Sequence, residues 1–248
     1  MRKVWLGLGS AVLAVPVLGW LQMAGIYQLG LTLAPDPPVM PAAVSLPPLV
    51  DAAIWARFGG GVERRVEGLT PWTFVALRVC RLQAAKGEDR QQRAEQCLAQ
   101  QVGLPLAASI AAQHVRDNGP AQGVAARELG QVATAGWLTR TWDADALVRE
   151  LAQRGDFGAG GRGIEDAARR YFDKTPAALT APEAATLAAA LAGAERWQAG
   201  VSPWCAPAEA LAARNRVLGR MAVNGAIAAA AVQPMVQQPL AVVDRPCR

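Results

Sequence analysis

What this chain lacks narrows it before any motif is read. After Asp51 there is no sustained apolar–polar alternation of the kind a half-buried strand needs. Good helix formers outnumber β-branched residues there, so a mostly helical core is expected over a sheet. No internal repeat is present, which excludes a solenoid or an array. No Lys/Arg run longer than a pair follows residue 3, so the net charge of +5 is spread thinly and forms no stripe for nucleic acid. The four cysteines include no CxxC pair, which excludes the usual zinc spacing. Neither a nucleotide-binding loop nor a metal-ligand cluster occurs, so no cofactor is expected. The single histidine, His114, has no Ser or Cys partner recognisable in the sequence, which leaves it outside any nucleophilic relay.

Charge is also missing from one long stretch. Met1-Arg2-Lys3 is followed by a mostly apolar run from Val4 to Ala34 with no charged side chain, long enough for the roughly 20 residues that cross a bilayer. The two cations ahead of it place the N-terminus in the cytoplasm and the rest outside. A cleaved signal peptide is the alternative; the apolar core is long for one, and no clear small-x-small site follows. Residues 1–34 are therefore read as a membrane anchor, with Trp20 and Tyr27 near its outer interface. Pro35, Pro37, Pro38, Pro41, Pro47 and Pro48 make 35–48 a stiff connector. A helical domain spans 49–233, and 234–248 is a C-terminal tail. The location expected is the inner membrane, single-pass, with the domain periplasmic. There disulfides can form, Cys205–Cys247 first among them; unpaired buried thiols are the other reading for Cys80 and Cys97.

Within the domain, Leu129, Val132, Ala133 and Trp137 recur at helical spacing, and Asp143 is placed to cap a helix carrying Leu147, Val148 and Leu151. Four glycines between Phe157 and Gly163 interrupt the pattern. A helix then starts near Ile164, and Thr180, Pro182 and Glu183 form a capping box for the alanine-rich helix that follows. The stretch Gly163-Ile164-Glu165-Asp166-Ala167-Ala168-Arg169-Arg170-Tyr171-Phe172-Asp173-Lys174, followed by Leu179-Thr180-Ala181-Pro182-Glu183-Ala184-Ala185, resembles the late motif of family 51 peptidoglycan glycosyltransferases. Arg214-Asn215-Arg216-Val217-Leu218-x-Arg220-Met221 resembles the closing motif of that family. The resemblance covers roughly the C-terminal half of the chain. It implies a lysozyme-like helical glycosyltransferase domain behind one N-terminal transmembrane helix, acting on lipid II.

The same resemblance implies two catalytic glutamates, and neither is found in register. A carboxylate that takes the proton from the acceptor 4-hydroxyl is expected in a Glu-Asp-x-x-Phe pattern after the connector; Phe58 or Gly59 stands at that position. Glu63 is the one candidate for a displaced base, given the freedom of Gly59-Gly60-Gly61. The alternative takes Glu63 and Glu67 as solvated charges spaced i,i+4 on a helix beside Arg64 and Arg65. The second glutamate, in Arg-Lys-x-x-Glu, aligns with Gln131, the lysine with Glu128 and the arginine with Arg127. Replacing Lys by Glu reverses the field where a donor pyrophosphate needs positive charge. Cys97-Leu98-Ala99-Gln100-Gln101 is a faint echo of the family's Ser-Thr-Ile-Thr-Gln-Gln segment. The expected binding residues are thus Gln100, Gln101 and Arg127, with no catalytic residue.

Three readings follow. The chain is a degenerate member that binds lipid II or glycan strands and serves envelope assembly, with cell-envelope proteins as partners. Alternatively it is a divergent active polymerase, or an anchored helical adaptor with no ligand.

Overall fold

The computed structural model describes residues 20–84, Cys97, 101–119, 123–158, 161–192 and 202–246. Residues 20–33 are helical, here α1. There follow α2 (Pro48–Arg57), α3 (Pro71–Ala84), α4 (Leu104–Asn118), α5 (Val124–Thr141), α6 (Ala144–Arg154), α7 (Ile164–Phe172), a 3-10 turn (Pro176–Ala178), α8 (Ala181–Ala190), α9 (Pro207–Val223) and α10 (Ala229–Val236). Among the described residues there is no strand, only an isolated bridge between Asp156 and Arg162.

The fold is arranged around α8. Its alanines leave nothing for solvent: every residue from Ala181 to Ala190 except Pro182 is buried. Short side chains let α2, α7 and α9 close around it, since interaxial distance is set by the side chains at the contact. A buried helix must still satisfy its terminal backbone groups. At the N-terminus the Glu183 carboxylate accepts from the Thr180 N–H at 2.8 Å and the Thr180 hydroxyl at 2.9 Å, with the Lys174 ammonium at 2.7 Å. Just past the C-terminus, the Ser109 hydroxyl of α4 donates to the Ala192 carbonyl at 2.7 Å, and the Ala192 N–H donates to the Asp156 carbonyl.

The glycine-rich stretch positions α7 against this core. Gly163 sits at φ +76, and a Cβ there would lie 2.5 Å from the Gln153 carbonyl oxygen. Tyr171 is buried and its hydroxyl donates to the Phe157 carbonyl. Burial, reinforced by Asp156, pushes its pKa up to about 12, so it remains a donor. Asp173 closes α7 in the left-handed conformation at φ 54, a C-terminal position usually taken by Gly or Asn. As expected, Asp143 caps α6 by accepting from the Ala146 N–H at 2.7 Å.

Both ends of the chain pack on this body. Gly30 lies against Leu129 and Ala133 of α5, Ala34 against Gly130, and Tyr27 against Gly136. This order runs α1 antiparallel to α5 and places the Arg140 guanidinium 4.4 Å from the Tyr27 ring centroid. The proline-rich segment lies along α4 and α6: His114 Nε2 meets the Asp36 carbonyl at 2.8 Å, and the Gln153 amide donates to the Ala42 carbonyl at 3.1 Å. At the other end, Arg214 of α9 is only 1% exposed. Its guanidinium donates to the carbonyls of Met235, Val236, Gln238 and Pro239 and to the Asn215 side chain. The Val243 N–H donates to the Tyr171 carbonyl, and the Trp204 indole N–H to the Val243 carbonyl. The segment expected to be a tail is thus held down along most of its described length.

Cys80 and Cys97 are joined in a disulfide with Cα atoms 5.9 Å apart, which replaces the reading of them as unpaired thiols. Cys205 is disulfide-bonded as well; Cys247, its expected partner, lies outside the described residues. No described helix is long and apolar enough to cross a membrane, and most of the expected anchor lies in residues 1–19, outside the described set.

Two outcomes are expected. Burial raises the Glu183 pKa, but the Lys174 and Thr180 hydrogen bonds outweigh it and hold the carboxyl below its usual range. Stability gained this way is present above the unfolded-state pKa and lost as pH falls through the folded value. Urea denaturation of Glu183→Gln should show a loss of about 1 kcal/mol at neutral pH, shrinking in acid; a loss independent of pH contradicts this role. Arg214→Ala should cost about 3 kcal/mol or more, because it strands several carbonyls. Limited proteolysis should then trim the chain after Val236 faster than in the wild type.

Candidate functional site

The catalytic groups expected from the resemblance fall on the 58–70 segment between α2 and α3 and on the first turns of α5. Helix α2 buries Val50, Ala53, Ile54, Trp55 and Ala56 in its contacts with α6, α8 and α9. Phe58 follows as its C-cap, buried in the same core, with the Arg57 guanidinium 5.3 Å from its ring centroid. Of the two residues at the expected base position, Phe58 is therefore a core side chain and Gly59 begins the glycine run.

The glycine run after it follows one fixed path. Gly59 takes φ +80, and the Gly60 N–H donates to the Trp55 carbonyl at 3.0 Å. A Cβ on Gly60 would lie 2.1 Å from the Trp55 ring, so only glycine lets the backbone cross the indole. The Trp55 indole N–H donates to the Gly61 carbonyl at 2.8 Å, and the Asn224 amide at the end of α9 donates to the Gly60 carbonyl at 2.8 Å. Arg220 of α9 donates to the Arg57 carbonyl at 3.1 Å, a cation at the negative end of α2. Most of the closing motif thus has structural work: Arg214 holds the C-terminal segment, Val217, Leu218 and Met221 are core, and Arg220 caps α2.

Each carboxylate along this segment is paired with arginine. Arg64 forms a two-pronged pair with Asp51 of α2, reaches Asp145 of α6 at 3.4 Å, and lies 5.4 Å from the Trp55 ring. Arg65 sits between Glu63 at 3.6 Å and Glu67 at 3.4 Å. The Glu63 side chain is 79% exposed. The i,i+4 helix expected for Glu63 and Glu67 does not form, because 58–70 is an irregular loop. Arg64 and Trp55 hold that loop to the domain in place of helix hydrogen bonds. Glu150 is the carboxylate whose pKa is raised, by burial working against the Arg154 charge and hydrogen bond. It lies five residues beyond Asp145, about 140° around α6, and its side chain pairs with Arg154 at 3.2 Å. Its partial burial had no signal in the sequence.

The expected binding residues are brought together only in part. The Glu67 N–H donates to the Val102 carbonyl at 2.9 Å, which sets Gln101 beside the end of the 58–70 loop. Gln100 lies outside the described residues. Arg127 is exposed in the first turn of α5, next to exposed Glu128, with Gln131 half-buried one turn on. The loop meets α5 at its other end, where the Leu69 N–H donates to the Thr139 hydroxyl at 3.1 Å and Gly68 lies against Arg140. From Arg127 to Thr139 is roughly 18 Å along the helix axis. His114 bonds the Asp36 carbonyl and the Asn118 side chain, which gives it a structural role. No group of His, Cys, Asp and Glu among the described residues could hold a metal.

No curated protein matches the chain. Residues 105–222 match the family model described as Transglycosylase. That span opens in α4, after the 58–70 loop, and closes near the end of α9; it takes in Arg127, Gln131, the glycine-rich stretch and the closing motif. The chain therefore carries, over residues 105–222, a transglycosylase domain of glycosyltransferase family 51.

Proposed function

We propose that this chain is a membrane-held, peptidoglycan glycosyltransferase-like protein that engages lipid II or glycan strands without polymerising them, and serves envelope assembly as a binding partner. The observation that carries the reading is the fixed course of 58–61. Phe58 is buried in the core, and Gly60 and Gly61 are fastened to Trp55 and Asn224. The pinned backbone ahead of Glu63 supports reading it as a solvated charge and not a displaced base. General-base catalysis needs a carboxylate within hydrogen-bond reach of the acceptor hydroxyl, and the two carboxylates of this segment, Glu63 and Glu67, pair with Arg65.

Binding is the function the remaining groups support. The N-cap of α5 is Gly123, which offers no side-chain acceptor to the first-turn N–H groups, and Arg127 stands among them. Helix N-termini with arginine suit phosphate oxygens. Glu128 beside Arg127 offsets part of that charge, so the pyrophosphate should be held weakly. An extracytoplasmic setting fits the disulfides at Cys80–Cys97 and Cys205, which persist in oxidising compartments. The uncharged run that starts at Val4, ahead of the part of α1 packed on α5, supplies the attachment.

Purified full-length protein given labelled lipid II should yield no glycan strands, yet bind lipid II or moenomycin. Arg127→Ala should weaken that binding about tenfold, the worth of one charge-assisted contact. Polymer that disappears in Glu63→Gln would establish the divergent polymerase instead. Absence of both polymer and binding would leave the ligand-free adaptor.

A further inference from the structure

Beyond the transglycosylase span, 105–222, the chain changes character. From Met221 to Val243 it carries no charged side chain, on a protein of net charge +5. Gly225, at φ +76, turns the chain out of α9, with the Ala226 N–H donating to the Met221 carbonyl, and α10 follows. A helix without charge on any side is normally a buried one. Yet no residue of α10 is buried.

The helix is nevertheless held in one place. Eight residues with a proline inside and no side-chain cap are too few to stay helical alone. Met235 and Val236 pack on the core, and Arg214 binds the carbonyls of both. Val243, further on, is tied to Tyr171 and Trp204. Ala229, Ala230, Gln233 and Gln237 are exposed; their spacing places them together on the opposite face. Large apolar side chains adjoin the turn that leads into α10. Val223 is 78% exposed and Val62 73%. Val223 precedes Asn224, whose amide donates to the Gly60 carbonyl, and Val62 lies two residues past Gly60. The fixed course of 58–61 therefore brings an exposed valine up to this turn.

The chemistry of the surface names its occupant. Its polar groups on α10 are the amides of Gln233 and Gln237, and an amide both donates and accepts. The same surface turned through a two-fold axis satisfies them, as an isologous contact requires. Two copies of a basic chain repel, and this uncharged face is where they can approach. Glu63 and Arg65, the charges next to Val62, pair with each other and leave little net field at its edge.

We propose that the outer face of α10, with Val223 and Val62 beside it, is the contact surface for a second copy of this chain. The inference goes beyond the binding reading above and depends neither on lipid II nor on Arg127. Because the segment is already fixed by Arg214, little ordering is left to be done on association.

The test uses the full-length chain in detergent, its protein mass followed by light scattering over a dilution series. Wild type should be a dimer that dissociates on dilution. Ala230→Arg, at a position exposed in the monomer, should weaken the dimer at least about tenfold, a change of about 1.4 kcal/mol, with an unchanged melting temperature. Val39→Arg, on the exposed connector, should leave it intact. Mixing Ala230→Arg with Ala230→Glu should restore the dimer, which a folding defect would not allow. A monomer at every concentration overturns the proposal, whether detergent coats the face or not. So does a dimer indifferent to Ala230→Arg, a dimer equally sensitive to Val39→Arg, or a mixture that stays monomeric.

Discussion

A helix without a solvent-facing side is the constraint on which this structure depends. α8 can be surrounded because its side chains are small, and the chain at its two ends is held by the Thr180–Glu183 capping box with Lys174 and by bonds of Ala192 to Ser109 and Asp156. Lys174 and Thr180 serve one end, Ser109 and Asp156 the other. Each commitment fixes an element: Lys174 follows α7 beyond the left-handed Asp173, Ser109 belongs to α4, and Asp156 belongs to the turn that Gly163 and Tyr171 shape. The stretch that most clearly marks the family is thus the set of residues that permits a buried alanine helix.

The second organising contact joins α9 to α2. Arg220 and Asn224 hold the end of α2 and the glycine run, while Arg214 of the same helix holds the C-terminal segment. Arg220 of the closing motif, with Asn224 just beyond it, therefore helps fix the course of the loop where catalysis is expected. The loop at the position the family resemblance assigns to the base, Phe58 or Gly59, owes its conformation to Trp55, Arg64 and α9, and needs no substrate-facing carboxylate to hold its shape.

Helix periodicity, the Asp143 cap, the Thr180–Glu183 box and the glycine break were legible because each is a local pattern, decided within a few residues. The course of 58–70 was not. Spacing of Glu63 and Glu67 suggests a helix, but Arg65 draws both carboxylates together in an irregular loop. Pairing of Cys80 with Cys97 was equally open, since it depends on how the segment after α3 returns. Glu150 gave no sign of its burial, because α6 carries it like any other charged helix residue until neighbouring elements remove the water.

The sequence by itself determined a helical transglycosylase-type scaffold, a long uncharged N-terminal run, and the absence of glutamates at the positions the family resemblance assigns to catalysis. These follow from residue identity, periodicity and short-range capping. Only the tertiary structure decided that the proline-rich segment and the C-terminal segment lie against the domain, and that the glycine run is pinned across Trp55. Those outcomes rest on contacts between residues far apart in the chain, such as Asn224 with Gly60 and His114 with Asp36. Such contacts depend on the packing of separate helices, which no local pattern in the sequence reports.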